Sequence, residues 1–412
     1  MALVAIAVGG TASARVHRGT QASASTLSGH IRFVAHTAIQ APLQVLIKNF
    51  NVAYPDISVD QSYLPAGASF PNAMMAQINS GNIPDVLYAN AGKGGQVPAP
   101  TLGAAGKLLD LQGLPFTKRI PAFAHNEFFY GKKIYSAPPI MVPAGMVYNA
   151  TQFKALGLTV PTTFSQLLQE CSKAKANGKS LIAFAGTNGI ITMEAMSASI
   201  VYSVDPKWDA KRRAGQVTYA DSPLWADMLN HLARMRDANC FQPGWQAAQT
   251  SDLTHALISG RSLIAIQNAN FSGSVAPFTK DSLAVAPFPG DTAAKTRGMI
   301  GFNVTFSVSA TTKDKPSALA FVNFLNREGQ SRLFATLTHA VSLVDAKAGK
   351  WPSNLALYAA LSKAKKTVPN PDEVGWPTSV THNDWSTVIG DVLINGKSPS
   401  DAMRLLDQDY GK

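Results

Sequence analysis

From Ile31 onwards, hydrophobic and polar positions alternate between strand patterns and helix patterns. This order predicts parallel strands that are covered by helices on both faces. In such sheets, ligands bind beyond the carboxyl ends of the strands. His36 and Thr37 follow the first predicted strand, and Asn90 follows the third. The strand patterns lie at 31–35, 57–59 and 86–89, with helix patterns at 43–50 and 70–78 between them.

A second series of patterns predicts another α/β unit between residues 131 and 300. Thr163 and Gln166 have the spacing of a capping box at the start of a helix. Pro316 opens a helix whose apolar pattern continues to Leu333, and the tail from Asn354 is mainly helical. Further strand patterns lie at 146–149, 181–184, 263–266, 283–286 and 304–308.

Length and composition support two lobes. The chain has 412 residues, which exceeds one typical core. Its content of 46% hydrophobic and 15% charged residues is typical of a globular protein. The net charge is +11, but the basic residues are scattered, so we predict a charged surface and no nucleic-acid partner.

The N-terminal residues predict export. Residues 1–10 are almost wholly apolar and precede Ala12-Ser13-Ala14, so residues 1–14 resemble a signal-peptide remnant. A frayed hydrophobic terminus is the alternative. Residues 15–29 are small and polar and predict a disordered leader. Because no cysteine lies near the cleavage point, we expect a periplasmic protein without a lipid anchor.

Cys171 and Cys240 are the only cysteines. In an oxidising compartment they can form a disulfide, but nothing in the sequence shows that they are close together. The sequence leaves both possibilities open, and we favour two buried free thiols.

No local motif indicates catalysis. The chain lacks Gly-x-Ser-x-Gly, His-Glu-x-x-His, a Walker loop, Cys-x-x-Cys and any Cys/His cluster. We therefore predict no enzymatic activity, no cofactor and no metal site, although a secreted hydrolase stays a less favoured alternative.

Several stretches, in this order and spacing, resemble the extracellular solute-binding proteins of ABC importers, in the branch of maltose-type and glycerol-phosphate-type binders. The matching stretches are Phe50–Val59 (FNVAYPDISV), Asn79–Val86 (NSGNIPDV), Gly131–Pro138 (GKKIYSAP), Val147–Pro161, Ala256–Ile266 (ALISGRSLIAI), Val308–Gln330 and Asn395–Met403 (NGKSPSDAM).

The resemblance implies a periplasmic-binding-protein fold: two α/β lobes, each a mainly parallel sheet flanked by helices, joined by a hinge. We expect lobe I at 30–139 and 301–345, and lobe II with closing helices at 140–300 and 346–412. Asn90 stands where the glycerol-phosphate binders tend to have an acid, Met141 and Val142 where they have serines, and Ala340 where they have a tyrosine. These differences favour a neutral hydroxylated ligand.

Amide side chains at strand ends suit such a ligand because they both donate and accept hydrogen bonds. Asparagine in loops also serves turns, so each position has a structural alternative. For Trp245, which can stack on a ligand, that alternative is plugging the edge of a lobe, and Trp376 lies on a late loop that could reach the cleft. The predicted ligand-binding residues are His36, Thr37, Asn90, Pro139, Asn188, Trp245, Gln267, Asn268, Asn270, Gly301, Phe302, Asn303 and Trp376.

The sequence thus predicts the periplasmic substrate-binding component of an ABC transporter, which captures a sugar, polyol or phosphorylated derivative in the cleft between the lobes. The predicted partners are two membrane permease subunits with an ATPase, and the protein itself is expected to be a monomer. A ligand-binding sensor subunit for a membrane receptor is the main alternative.

Overall fold

The structure is a computed structural model that describes residues 27–65, 69–93, 96–120, 122–186, 189–302, 304–343, 345, 349–371, 376–377 and 382–411. The signal-peptide prediction and most of the leader prediction lie outside these residues. The described part of the leader is ordered at its end, because Gly29 already belongs to the first strand.

The described strands and helices alternate as the sequence patterns predict. The strands are β1 (Gly29–His36), β2 (Ile57–Leu64), β3 (Val86–Ala89), β4 (Phe129–Tyr130), β5 (Lys133–Ile134), β6 (Ile140–Asn149), β7 (Ser180–Ala183), β8 (Ser262–Asn268), β9 (Leu283–Ala286), β10 (Gly298–Gly301), β11 (Thr305–Val308), β12 (Val341–Ser342) and β13 (Thr367–Pro369). The helices are α1 (Gln40–Ala53), α2 (Ser69–Asn79), α3 (Ala99–Ala104), α4 (His125–Phe128), α5 (Ala150–Ala155), α6 (Phe164–Ala176), α7 (Ile190–Ile200), α8 (Trp208–Arg213), α9 (Pro223–Asp237), α10 (Thr250–Ile258), α11 (Ser272–Val275), α12 (Lys315–Leu325), α13 (Glu328–Leu337), α14 (Ala356–Lys363), α15 (His382–Leu393) and α16 (Pro399–Asp409).

Two main sheets organise the chain into two lobes. The first has the strand order β11-β3-β1-β2, in which β1 runs parallel to β2 and β3, and β11 is antiparallel to β3. The aromatic side chains of Phe33 and Phe306 pack in its core. The second has the order β13-β10-β6-β8-β7 and its own core, which includes Leu181 and Ile264. The two-lobe α/β fold is therefore confirmed.

The second sheet is mixed, which differs from the expectation of a mainly parallel sheet. β6 runs antiparallel to β8, β9, β10 and β12, while β7–β8 and β10–β13 are parallel. The reason is that β6 enters the second lobe from the first, so it runs away from the junction between the lobes, whereas β10 runs back towards it. A one-dimensional apolar pattern does not encode this direction.

Two helix boundaries differ from the sequence prediction. The Thr163 hydroxyl accepts from the Gln166 backbone N–H at 3.2 Å, but the Gln166 side chain accepts from the Thr162 backbone N–H at 2.9 Å, so the reciprocal bond is shifted by one residue. The apolar pattern from Pro316 to Leu333 forms two helices rather than one. The first ends at Leu325 and is capped by Asn326, whose side-chain amide donates to the Val322 carbonyl at 3.0 Å.

Cys171 and Cys240 form a disulfide, so the preference for two free thiols was wrong. Cys171 lies on α6, and Cys240 follows α9, where Asn239 adopts a positive φ of 55° that turns the chain back towards β7. The Cys240 carbonyl then accepts from the Ile182 backbone N–H at 2.9 Å. The two cysteine Cα atoms are 4.9 Å apart, a separation that a disulfide spans readily.

Candidate functional site

Two adjacent crossings bring the carboxyl ends of the strands in both sheets together. Ala137 bridges Phe306 of β11 just before the chain enters β6, and the return crossing leads from Gly301 to Thr305. Gly301 pairs with Val142 in the second sheet, and Thr305 pairs with Ala89 in the first. Four residues reach at most about 14 Å. The ends of β3 and β10 therefore face each other across a short gap.

His36 ends β1 at this edge of the first sheet. Its imidazole packs against Phe70 and Tyr88, with ring centroids 5.5 and 4.7 Å away. Burial lowers the pKa of His36 to about 4, so the ring is neutral at physiological pH. Its Nδ1 is buried and has no hydrogen-bond partner in the described chain. The side chain does not cap the following 3-10 turn.

Thr37 and Asn90 lie beside His36 but differ in how the fold uses them. Thr37 is exposed at the first position of a 3-10 turn. Asn90 is half-buried, and its side-chain oxygen accepts from the Val97 backbone N–H at 2.9 Å. Its backbone N–H donates to the Val97 carbonyl at 2.8 Å. Asn90 therefore closes the loop that follows β3, which is the structural role of a loop asparagine rather than a ligand-binding role.

The amide-rich segment after β8 lies at the corresponding edge of the second sheet. Gln267 and Asn268 end the strand opposite Gly145 and Ala144 of β6. Asn268 is half-buried and precedes a 3-10 turn without forming a side-chain cap. The Ser272 hydroxyl instead donates to the Ala269 carbonyl in this turn, at 2.7 Å. The Asn268 amide is thus not used for capping, which distinguishes it from Asn90.

The remaining amide of this segment, Asn270, is half-buried within the same turn, whereas Gln267 is 8% exposed. In the parallel strand β7, Ala183 pairs with Ala265, so the segment after β7 reaches the same edge. Asn188 and Asn303, the other two predicted amides, lie outside the described residues.

The predicted residues of the crossings contribute backbone and apolar surface. The Pro139 carbonyl is buried and accepts from the Ser331 hydroxyl at 2.5 Å and from the Leu343 backbone N–H at 3.3 Å. Gly301 ends β10, and Phe302 is fully buried with its ring edge-on to Phe128 at 4.9 Å. These contacts hold the crossings in place, and they leave Pro139 and Phe302 with little surface for a ligand.

Both predicted tryptophans lie inside the second lobe. Trp245 is 8% exposed and packs against Phe184 and Phe241. Trp376 is 3% exposed and stacks on Trp385 with ring centroids 5.2 Å apart. This packing agrees with the structural alternative for Trp245, and both side chains belong to the core of this lobe.

Two exposed side chains near the end of β3, Lys93 and Tyr130, were not predicted from the sequence. Lys93 lies in the loop closed by Asn90, and its Nζ lies 4.7 Å from the ring centroid of Tyr130. The available signal was a lysine between glycines, four residues beyond the end of β3. Nothing in the sequence near Tyr130 shows that its hairpin packs beside this loop.

Two other features lie away from this edge. A cavity of about 800 Å³ lies at the amino ends of β7 and β8, with Lys175, Lys179, His255 and Arg261 among its lining residues. The cavity therefore lies at the opposite end of β8 from Gln267, Asn268 and Asn270. His231 is hydrogen bonded through Nδ1 to the Asp227 carbonyl and through Nε2 to Asp291, both at 2.8 Å. This trio is the group of potential metal ligands among the described residues, but both imidazole nitrogens already have protein partners.

Residues 35–331 match the family model described as bacterial extracellular solute-binding protein. The match covers most of the chain and includes the strand ends that carry His36 and Asn268. The chain belongs to this family. The family resemblance seen in the sequence is therefore confirmed, and this solute-binding protein is related to binding proteins rather than to enzymes. Among the described residues, no helix combines the length and the apolar character needed to cross a membrane.

Individual relatives agree with the family. The multiple sugar-binding protein of Streptococcus mutans serotype c is 24% identical over 296 residues, which cover 70% of this chain and 68% of that protein. A structure of the solute-binding protein RafE with raffinose is 18% identical, covers 92% of this chain and 97% of its own, and has a TM-score of 0.76. A sugar transporter from Bacillus licheniformis in complex with stachyose is 15% identical, with coverages of 92% and 99% and a TM-score of 0.74.

Proposed function

We propose that this solute-binding protein is the periplasmic substrate-binding component of an ABC importer, and that it captures a neutral oligosaccharide between its two lobes. The observation that carries the proposal is the short return crossing from Gly301 to Thr305, which sets the strand ends of the two sheets opposite each other. Polar side chains lie on both edges. His36 ends β1 of the first sheet and Thr37 follows it, while Asn268 ends β8 of the second sheet and Asn270 lies in the turn that follows.

The chemistry of these groups favours hydroxyl recognition. Neutral imidazole and amide groups both donate and accept hydrogen bonds, as sugar hydroxyls do. Because burial lowers the pKa of His36 to about 4, that ring offers no positive charge to a phosphate. Raffinose and stachyose, the ligands of two structural neighbours, are neutral oligosaccharides of the size class that we propose.

The proposed lobes are residues 30–139 with 301–345, and 140–300 with 346–412. Ligand binding to both edges favours a closed state, because only that state gains the second set of contacts. We propose that two membrane permease subunits then bind the closed pair of lobes, and that an ATPase drives transport.

A thermal-shift screen tests the ligand class. The probes are raffinose, stachyose, a chitin oligosaccharide, glucose, glycerol and glycerol 3-phosphate. We expect an oligosaccharide to raise the melting temperature most, since a ligand at 100 times its Kd adds about 2.7 kcal/mol to the free energy of unfolding. A selective response to glycerol 3-phosphate, or hydrolysis of any probe at enzyme-like rates, would contradict the proposal.

A further inference from the structure

An exposed aromatic side chain lies next to the loop that follows β3 of the first sheet. Tyr130 ends β4 and is 40% exposed. Several large hydrophobic side chains are exposed in the described part of the chain, and two of them, Tyr130 and Phe278, are aromatic. Trp245 and Trp376, where the sequence predicted a stacking surface, are buried in the second lobe.

The chain on both sides of Tyr130 contacts the crossings, which fixes its position. Two residues before it, Phe128 packs edge-on against Phe302 of the return crossing, with centroids 4.9 Å apart. Seven residues after it, Ala137 bridges Phe306 at the start of the outward crossing. Tyr130 therefore lies on a segment that contacts both crossings.

The hairpin that carries Tyr130 is held firmly. Tyr130 pairs with Lys133 across a two-residue turn in which Gly131 adopts a positive φ of 63°. The base of the hairpin is tied to a neighbouring loop, because the Ile134 backbone N–H donates to Asp110 at 3.1 Å and the Ile134 carbonyl accepts from Leu111 at 2.7 Å. A side chain on such a support can present its ring without ordering a loop on binding.

Lys93 lies between Tyr130 and the carboxyl end of β3 in the chain's packing, because it contacts the ring and belongs to the loop after that strand. Its Nζ lies 4.7 Å from the Tyr130 ring centroid, and it belongs to the loop that Asn90 closes onto the end of β3. The ring is thus adjacent to the loop beyond β3, and an ammonium group with three hydrogen-bond donors stands next to it. An aromatic face beside polar donors suits a sugar ring, which has apolar C–H faces and polar hydroxyl edges.

We infer that Tyr130 is a carbohydrate-stacking residue, with Lys93 as the adjacent hydroxyl-binding group, and that the pair determines specificity for ring-shaped sugars over open-chain polyols. This inference rests on the proposed function. It adds an aromatic surface to a site whose other predicted groups are amides, imidazole and hydroxyl.

Calorimetric titration of three variants tests the inference, with raffinose, stachyose and a chitin oligosaccharide as probes. We expect Tyr130→Ala to weaken the tightest of these ligands about tenfold, and Tyr130→Phe to stay within about threefold of wild type, because the ring face remains. Phe278→Ala is the matched control, since Phe278 is 69% exposed. It lies three residues before Asp281, which accepts from Asn149 at the opposite end of β6.

The outcomes separate the two claims. If wild type binds a probe and Tyr130→Ala binds it as well as Phe278→Ala does, the stacking role is wrong while the proposed function stands. If wild type binds none of the oligosaccharides, the proposed function fails, and the stacking role fails with it. A melting temperature for each variant within the wild-type range excludes misfolding as the cause of a lost affinity.

Discussion

At the scale of single residues, the site depends on whether the fold uses a polar group for its own structure. Asn90 follows β3 and Asn268 ends β8, so both lie at strand ends, yet Asn90 closes a loop while Asn268 makes no capping bond. A hydrogen bond to the backbone occupies an acceptor that a ligand would otherwise use. The residue type alone therefore does not separate a turn residue from a ligand residue.

His36 leads to a prediction about pH. Its pKa is about 4 in the folded protein because of burial, against 6.5 for an ordinary histidine. Between these values the unfolded chain binds more protons than the folded chain, so the free energy of unfolding falls as the pH decreases from 6.5 towards 4. Relative to His36→Gln, wild type should lose about 1–2 kcal/mol more between pH 7 and pH 5.

Urea denaturation of both proteins at the two pH values measures this difference. The other histidines are common to both proteins, so their contribution cancels in the comparison. Equal losses for wild type and His36→Gln would show that His36 does not titrate with a lowered pKa.

At the scale of elements, the second lobe is joined by a covalent link that the helix and strand patterns do not reveal. The disulfide connects α6 to the segment between α9 and the loop beside β7, and both cysteines are buried. The cysteines are 69 residues apart in sequence. Closing a loop of this length restricts the unfolded chain, which stabilises the folded lobe by up to about 4 kcal/mol.

We therefore expect the double variant Cys171→Ala, Cys240→Ala to melt at a lower temperature than wild type. Non-reducing peptide mapping of wild type should show the Cys171–Cys240 linkage, and calorimetry in the absence of reductant measures the melting temperatures. Wild type melted after full reduction is the control for side-chain packing, because it lacks the disulfide but keeps both cysteine side chains. If wild type and the double variant melt together, the disulfide contributes nothing to stability.

At the scale of the whole molecule, the two lobes are joined near the site by crossings at 137–140 and 301–305. Short connections allow a rotation about a local axis while they keep the strand ends facing each other. Closure is then expected to follow from contacts that one ligand makes to both edges.

Small-angle scattering tests this expectation. The radius of gyration should decrease when the sugar that gives the largest thermal shift is added at saturating concentration. A sugar from the same screen that gives no shift is the control. An unchanged radius of gyration with a bound sugar would contradict closure on the ligand.

Much of the fold was predictable because it depends on local patterns. Apolar periodicity located β1, α1 and β3 and the second series of strands, since buried faces recur at the spacing of each element. The direction of β6 was not predictable, because it depends on which lobe the chain leaves and enters. The places of His36 and Asn268 at strand ends were predictable from the apolar patterns. The tryptophan positions were less informative, because a large ring fits a core as well as a ligand surface.

The sequence by itself determined the α/β class, the two-lobe organisation and the family, because these follow from patterns spread over most of the chain. Only the tertiary structure decided which groups are available to a ligand. It joined Cys171 to Cys240, buried Trp245 and Trp376 in the second lobe, and set Tyr130 beside Lys93. Each of these outcomes depends on contacts between residues far apart in the chain, and such contacts form only when the elements pack.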